Sequence, residues 1–295
     1  MGEFEEEFKV NFREIKRVLW LILILNWIVA TSKILLGALT GTISILSDGI
    51  HSFFDGTTNI VGIIGIKLAE KPIDSDHPYG HRKYEAIASQ IILFFLIIAV
   101  WEIVKNIFEK IFASEIIHLN IVPVAFVILI CCLVIDICVA RYEYKKGIEL
   151  KSTILKADAL HTKSHYITTG AVILGALLIK IGLPPLIDPI IASFVAVFIG
   201  KLAFNIFKET SSVLTDKALV DSRKIKKIVE SVNGVTSCHQ IRTRGDEDHI
   251  FLDIHIIVDP NLFLEKAHKI CHQVEDEVKQ AIPEIKDIMI HPEPS

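Results

Sequence analysis

Apolar positions fill the chain in long runs between residues 18 and 207 and thin out abruptly after Lys208. A helix needs about 20 apolar residues to cross a bilayer. Six runs come near that length: 18–39, 43–68, 87–108, 121–141, 157–181 and 186–207. The third and fourth are the plainest, reading IASQIILFFLIIAVWEIV and IVPVAFVILICCLVIDICVA, whereas polar residues interrupt the second and fifth. The opening MGEFEEEF is acidic where a signal peptide begins basic, so the first run is expected to stay as a membrane helix.

Beyond residue 208 the periodicities change. A helical pattern over 221–232 closes at Asn233-Gly234. Alternating stretches over 238–244 and 249–258 flank Gly245-Asp246-Glu247-Asp248 and read as two strands, with Asp259-Pro260 closing the second. An amphipathic helix over 265–281 and a strand over 286–291 complete an αββαβ unit, about the smallest size that folds alone. The predicted fold is a polytopic α-helical membrane domain of six spans over 1–210, followed by a small α+β domain over 211–295.

Composition narrows the classes further. With 51% hydrophobic and 22% charged residues, the chain is neither disordered nor collagen-like. Lys+Arg 31 against Asp+Glu 35 leaves a net charge of −4, so there is no bulk basic charge for a nucleic acid. Five cysteines without paired spacing make no disulfide scaffold, and Cys131, Cys132 and Cys138 read as buried thiols. Basic residues gather before the first span (Lys9, Arg13, Lys16, Arg17), in the second loop (Lys71, Arg82, Lys83) and in the fourth (Lys145, Lys146, Lys151, Lys156). The other loops are poor, so both termini are expected on the cytoplasmic side of the cell membrane.

Ionisable groups inside a span are expensive and point to function. The second span holds LSDGIHSFFDG and the fifth ADALHTKSHYITTG. His51 with Asp55, and His161 with His165, are each four apart and share a helix face. Two such pairs can surround one transition-metal ion tetrahedrally, or hold the bundle together by hydrogen bonds. Asp48 is a weaker candidate for the pathway, while Lys33 and Asp136 read as partnered structural groups. In the second loop, PIDSDHPYGHRKYEA, Asp74, His77 and His81 form a compact candidate ligand set. His239, His255, His268, His291 and Glu293 lie on separate elements of the soluble unit, as a composite site or an incidental scatter would have them; His249, Cys271 and His272 read as surface residues.

These phrases resemble the cation diffusion facilitator family, close to its bacterial proton-coupled zinc and iron exporters. DSDHPYGHRKYEA, ADALH and the closing DIMIHPEP carry the likeness, which covers nearly the whole chain. The resemblance implies a transport site at His51, Asp55, His161 and His165, and a loop site at Asp74, His77 and His81. It implies a binuclear cytoplasmic site at His239, His255, His268, His291 and Glu293, where Glu293 replaces the Asp of close relatives. It also implies that Lys83 and Asp216 lock two membrane domains together in a homodimer. The family usually has Asp where this chain has His165. The expected activity is Zn²⁺ efflux in exchange for protons, with Fe²⁺, Mn²⁺, Co²⁺ or Cd²⁺ as other candidate ions. No P-loop or phosphorylated-Asp signature is present, and an enzyme is not expected. A Mn²⁺- or Fe²⁺-selective exporter is the main alternative. An intramembrane metalloprotease would need a His-Glu-x-x-His set that the chain lacks, and a sensor would carry no flux.

Overall fold

The computed structural model describes residues 2–40, 43–113, 123–184 and 186–295. It divides into two compact units, Met1–Thr210 and Ser211–Ser295.

The first unit is helical: α1 (Gly2–Thr40), α2 (Ile43–Ala69), α3 (Lys83–Ala113), α4 (Pro123–Glu149), α5 (Thr153–Lys180) and α6 (Ile187–Leu214). Each predicted span falls largely on one of these helices, and residues 121 and 122 of the fourth lie outside the described residues. The helices outrun the apolar stretches, most clearly at the start of α1 and the end of α4. Hydropathy marks only the part that meets lipid, whereas Glu, Lys and Arg continue a helix readily in water. Among the described residues, Phe12–Leu36, Lys83–Glu109 and Pro189–Leu214 are long and apolar enough to cross a membrane by length and composition.

Leu19, Ile22, Ile66, Ile92, Leu96, Ile154 and Ile199 are fully buried at the centre of the bundle. Phe94, Trp101, Phe194 and Val197 lie exposed on its outside, an apolar surface that suits lipid. Cys131 and Cys138 are on that outer surface, not packed inside protein as expected; the Cys132 side chain lies outside the described residues. An apolar thiol facing acyl chains needs no protein cover, so a hydrophobic run does not tell protein interior from lipid. Lys33 is buried, and its Nζ donates to Ser52 Oγ at 3.1 Å.

The close approach of α2 to α3 depends on Gly65. A Cβ there would collide with the Ala88 Cβ. Gly65→Val is therefore expected to lower the thermal midpoint of the solubilised protein by several degrees, at an overpacking cost of about 1–3 kcal/mol. Gly170→Ala is the control, since nothing lies within 4 Å of a Cβ added there. Equal midpoints for the two variants would show that α2 and α3 are not in tight contact.

The second unit is the predicted αββαβ: α7 (Ser222–Glu230), β1 (Ser237–Gly245), β2 (Ile250–Val258), α8 (Leu264–Ala281) and β3 (Ile285–Pro294). Asp221 caps α7 by accepting from the Arg223 N–H. The sheet order is β1-β2-β3, antiparallel between the first two and parallel between the last two. Leu252, Ile254, Ile256, Val274 and Val278 fill a core of its own. Alternation along β2 puts Ile250, Leu252, Ile254, Ile256 and Val258 inward and leaves His255 on the opposite, half-exposed face.

Candidate metal sites

The loop between α2 and α3 folds Asp74, His77 and His81 into one cluster. The backbone N–H groups of Asp76 and His77 donate to Asp74 Oδ1 at 3.1 and 2.7 Å, closing the turn. Gly80 follows with φ 82, a left-handed conformation that glycine adopts without strain. His77 Nδ1 lies 3.1 Å from Asp74 Oδ1, and His81 Nε2 lies 3.3 Å from Asp74 Oδ2. The backbone bond from His77 chiefly holds the Asp74 carboxyl below its ordinary range, so it stays ionised. His81 is buried, and its Nδ1 lies 3.1 Å from the Pro72 carbonyl, an acceptor only. Nδ1 therefore carries a proton there. In the neutral ring the Nε2 lone pair then faces a carboxylate oxygen, and a cation between them relieves the repulsion. A His oriented through its other nitrogen is the usual arrangement at a metal.

A row across the sheet builds the cytoplasmic cluster. His239 pairs with His255 in the β1–β2 register and His255 with His291 in the β2–β3 register. A bulge follows His239, with Gln240 at φ 49. Glu293, two residues beyond His291, returns to the same face. Its Oε1 is 2.8 Å from His255 Nδ1 and 3.8 Å from His291 Nε2, and its Oε2 is 3.3 Å from His239 Nε2. The His255 hydrogen bond chiefly holds the Glu293 carboxyl below its usual range. His268 stands apart from this cluster within the one chain. On α8 its Nε2 meets His272 Nε2 at 3.1 Å, and both rings are exposed. His272 was expected only as surface; its helical spacing from His268 was the signal for the pair.

In the bundle, His161 is buried and His165 half-buried, with Nε2 atoms 3.4 Å apart and rings at 72°. Two nitrogens about 2.05 Å from one tetrahedral ion are about 3.3 Å apart, close to the spacing of this pair. The side chains of Asp48, His51 and Asp55 lie outside the described residues. Two contacts set the register of α2 on α5. A Cβ at Gly62 would lie 3.0 Å from Ile154 Cγ2. Thr58 Oγ1 donates to Asp158 Oδ1 at 2.6 Å. Going back along α2 corresponds to going forward along α5, so the two helices run antiparallel. Asn59 Nδ2 also donates to Asp158, and Asn26 Nδ2 donates to Asn59 Oδ1 at 3.0 Å. This buried polar layer carried no assigned role in the sequence reading, although Asp158 is one turn before His161 and Asn59 one turn after Asp55. Lys83 opens α3 and Asp216 follows α6; both are exposed.

An apolar helical unit joined to an αββαβ domain, each with converging imidazoles and carboxylates nearby, defines a membrane transporter of metal cations. The family profile "Cation efflux transmembrane domain" matches residues 19–215, and "Cation efflux protein, cytoplasmic domain" matches residues 219–295. The chain belongs to the cation diffusion facilitator family, whose members transport divalent metal ions and dimerise, and it is not an enzyme. It is 33% identical over 280 residues to an uncharacterized transporter of Methanocaldococcus jannaschii, covering 94% of this chain and 96% of that one. It is 26% identical over 289 residues to the manganese efflux system protein MneP of Bacillus subtilis, covering 95% and 96%. A solved C-terminal domain of MamM, in a nickel form, matches at 30% identity over 25% of this chain and 92% of its own, with TM-score 0.24.

Proposed function

We propose that this protein exports Zn²⁺ in exchange for protons, as a homodimer with both termini in the cytoplasm. The observation that carries the reading is the convergence of His161 and His165 at a spacing suited to one tetrahedral ion. The α2–α5 register supports it. Continued from the Thr58–Asp158 contact, it carries position 55 to the level of His161 and position 51 to the level of His165. His51, Asp55, His161 and His165 then enclose the ion. Protons compete with it, because imidazole must be neutral and the carboxylate ionised to bind. That competition couples the two fluxes, and rocking of the helices gives alternating access. Asp74, His77 and His81 hold a second ion near the inner surface. His239, His255, His291 and Glu293 hold regulatory metal, with His268 contributed where two copies meet. Lys83 and Asp216 join the membrane domains of the dimer.

A manganese exporter is the second reading, favoured by the relative named for manganese efflux. Proteoliposomes separate the two. With a panel of Zn²⁺, Fe²⁺, Mn²⁺, Co²⁺ and Cd²⁺, an imposed pH gradient is expected to drive Zn²⁺ fastest, and an ionophore that collapses it should slow the flux. Flux indifferent to collapse would rule out antiport, and faster Mn²⁺ than Zn²⁺ would install the second reading.

A further inference from the structure

His268, His272, Glu275 and Lys279 recur at helical spacing and form one stripe along α8. On the opposite face Ala267, Val274 and Val278 are buried, and Cys271 packs against the domain core, so the helix that carries the stripe is anchored. Lys279 Nζ donates to Glu275 Oε1 at 2.6 Å, and Glu275 Oε2 lies 3.5 Å from His272 Nδ1. A carboxylate beside Nδ1 favours the tautomer with its proton on that nitrogen and leaves the Nε2 lone pair for a ligand. His272 Nε2 lies 3.1 Å from His268 Nε2, with the two rings at 70°. Two nitrogens about 2.05 Å from one ion are about 2.9 Å apart at a right angle and about 3.3 Å apart at the tetrahedral angle. The observed separation falls between these limits. Lys269, between the two histidines in sequence, is engaged by Glu265 Oε1 at 2.7 Å.

We propose that α8 carries a metal site of its own, in which His268 and His272 chelate one dication of the Zn²⁺, Ni²⁺ or Cu²⁺ class through their Nε2 atoms and Glu275 orients His272. Water fills the remaining positions, since both rings are exposed. The protein ligands are two neutral nitrogens and no carboxylate, a set that suits these ions and gives little to the harder Mn²⁺ or Mg²⁺. The site is complete within one chain and stands apart from the row of His239, His255, His291 and Glu293. It does not rest on the zinc-export reading. In that reading His268 serves where two copies meet, so an ion on α8 and a shared ion compete for the same imidazole.

Equilibrium dialysis of the full chain in detergent, against a series of free Ni²⁺ concentrations, tests this. His268→Ala and His272→Ala should each lose one bound ion per chain, and the double variant no more than either. His255→Ala should keep that ion. Ala is the best helix former, so these changes leave an exposed helix face intact. Glu275→Gln should keep the ion at about 10–100-fold lower affinity, the loss typical of a group that orients a metal-bound imidazole. Mn²⁺ binding should be the same in His272→Ala and the parent. Parent stoichiometry of Ni²⁺ in His272→Ala overturns the proposal. A loss confined to His268→Ala also overturns it and assigns that residue to a shared site alone. So does a combined His255→Ala and His272→Ala variant that loses no more than one ion, since the two residues would then serve a single site. Unchanged affinity in Glu275→Gln removes the orienting role. Bound Ni²⁺ is read at equilibrium, so these outcomes hold whichever ion the bundle exports.

Discussion

Replacing His165 with Ala is expected to lower Zn²⁺ flux in proteoliposomes by about 100-fold or more. Loss of groups that merely orient a ligand already costs 10–100-fold in metal affinity, and His165 faces His161 with nitrogens 3.4 Å apart. His165→Asp has the opposite character. The proposed site of His51, Asp55, His161 and His165 with neutral imidazoles has one carboxylate, and a bound dication would leave it formally +1 in a low-dielectric bundle. That is a costly state unless nearby negative charge offsets it. An Asp at 165 brings the count to two carboxylates and cancels the charge. It also exchanges a nitrogen ligand for a harder oxygen. The variant should keep transport, gain on Mn²⁺ relative to Zn²⁺, and work to lower pH, because Asp ionises far below the range where imidazole loses its proton. Zn²⁺ flux in His165→Ala equal to that of the parent would remove His165 from the ligand set and leave a three-residue site completed by water.

The second large effect is expected in the cytoplasmic domain. Its separate core supports expression of residues 214–295 alone. Zn²⁺ should tighten its dimerisation by at least tenfold, the mass-action consequence of a ligand that favours the associated state. His255→Ala and Glu293→Ala should each abolish that gain, since His255 and Glu293 are 2.8 Å apart at the centre of the cluster. The pH dependence follows from Glu293. Its carboxyl is held below the ordinary 4.5 by the His255 hydrogen bond, so the folded state binds this proton less readily than the unfolded chain. The stabilisation is complete above the unfolded value and is lost as pH falls through the folded one. Metal-free domain should therefore lose thermal stability on acidification below pH 4.5, with a smaller loss in Glu293→Gln. Sedimentation with and without Zn²⁺ decides the first point; association that ignores both metal and these substitutions would make the cluster incidental. Full-length chains with these changes should still transport, since the proposed transport site lies in the bundle.

Much of the architecture was written in local patterns. Long apolar runs placed α1 to α6, and alternation with turn residues placed β1, β2 and β3 within a few residues. Those signals are local because burial against lipid or a core is periodic along one element. The same locality exposed the candidate ligands: His161 and His165 share a helix face, and Asp74, His77 and His81 share one short loop. The row of His239, His255 and His291 depends instead on strand register and a bulge, which no spacing encodes. Whether Cys131 and Cys138 meet protein or lipid depends on how α4 is rotated in the bundle. Glu143 is the sharpest case. Its neighbourhood, RYEYKKGIE, reads as a charged helix end at the water boundary, yet the side chain is fully buried and neither carboxyl oxygen meets a hydrogen-bond partner. A charged residue's cost is set by what covers it, and that cover comes from other segments, so only the tertiary structure could show this carboxyl as buried.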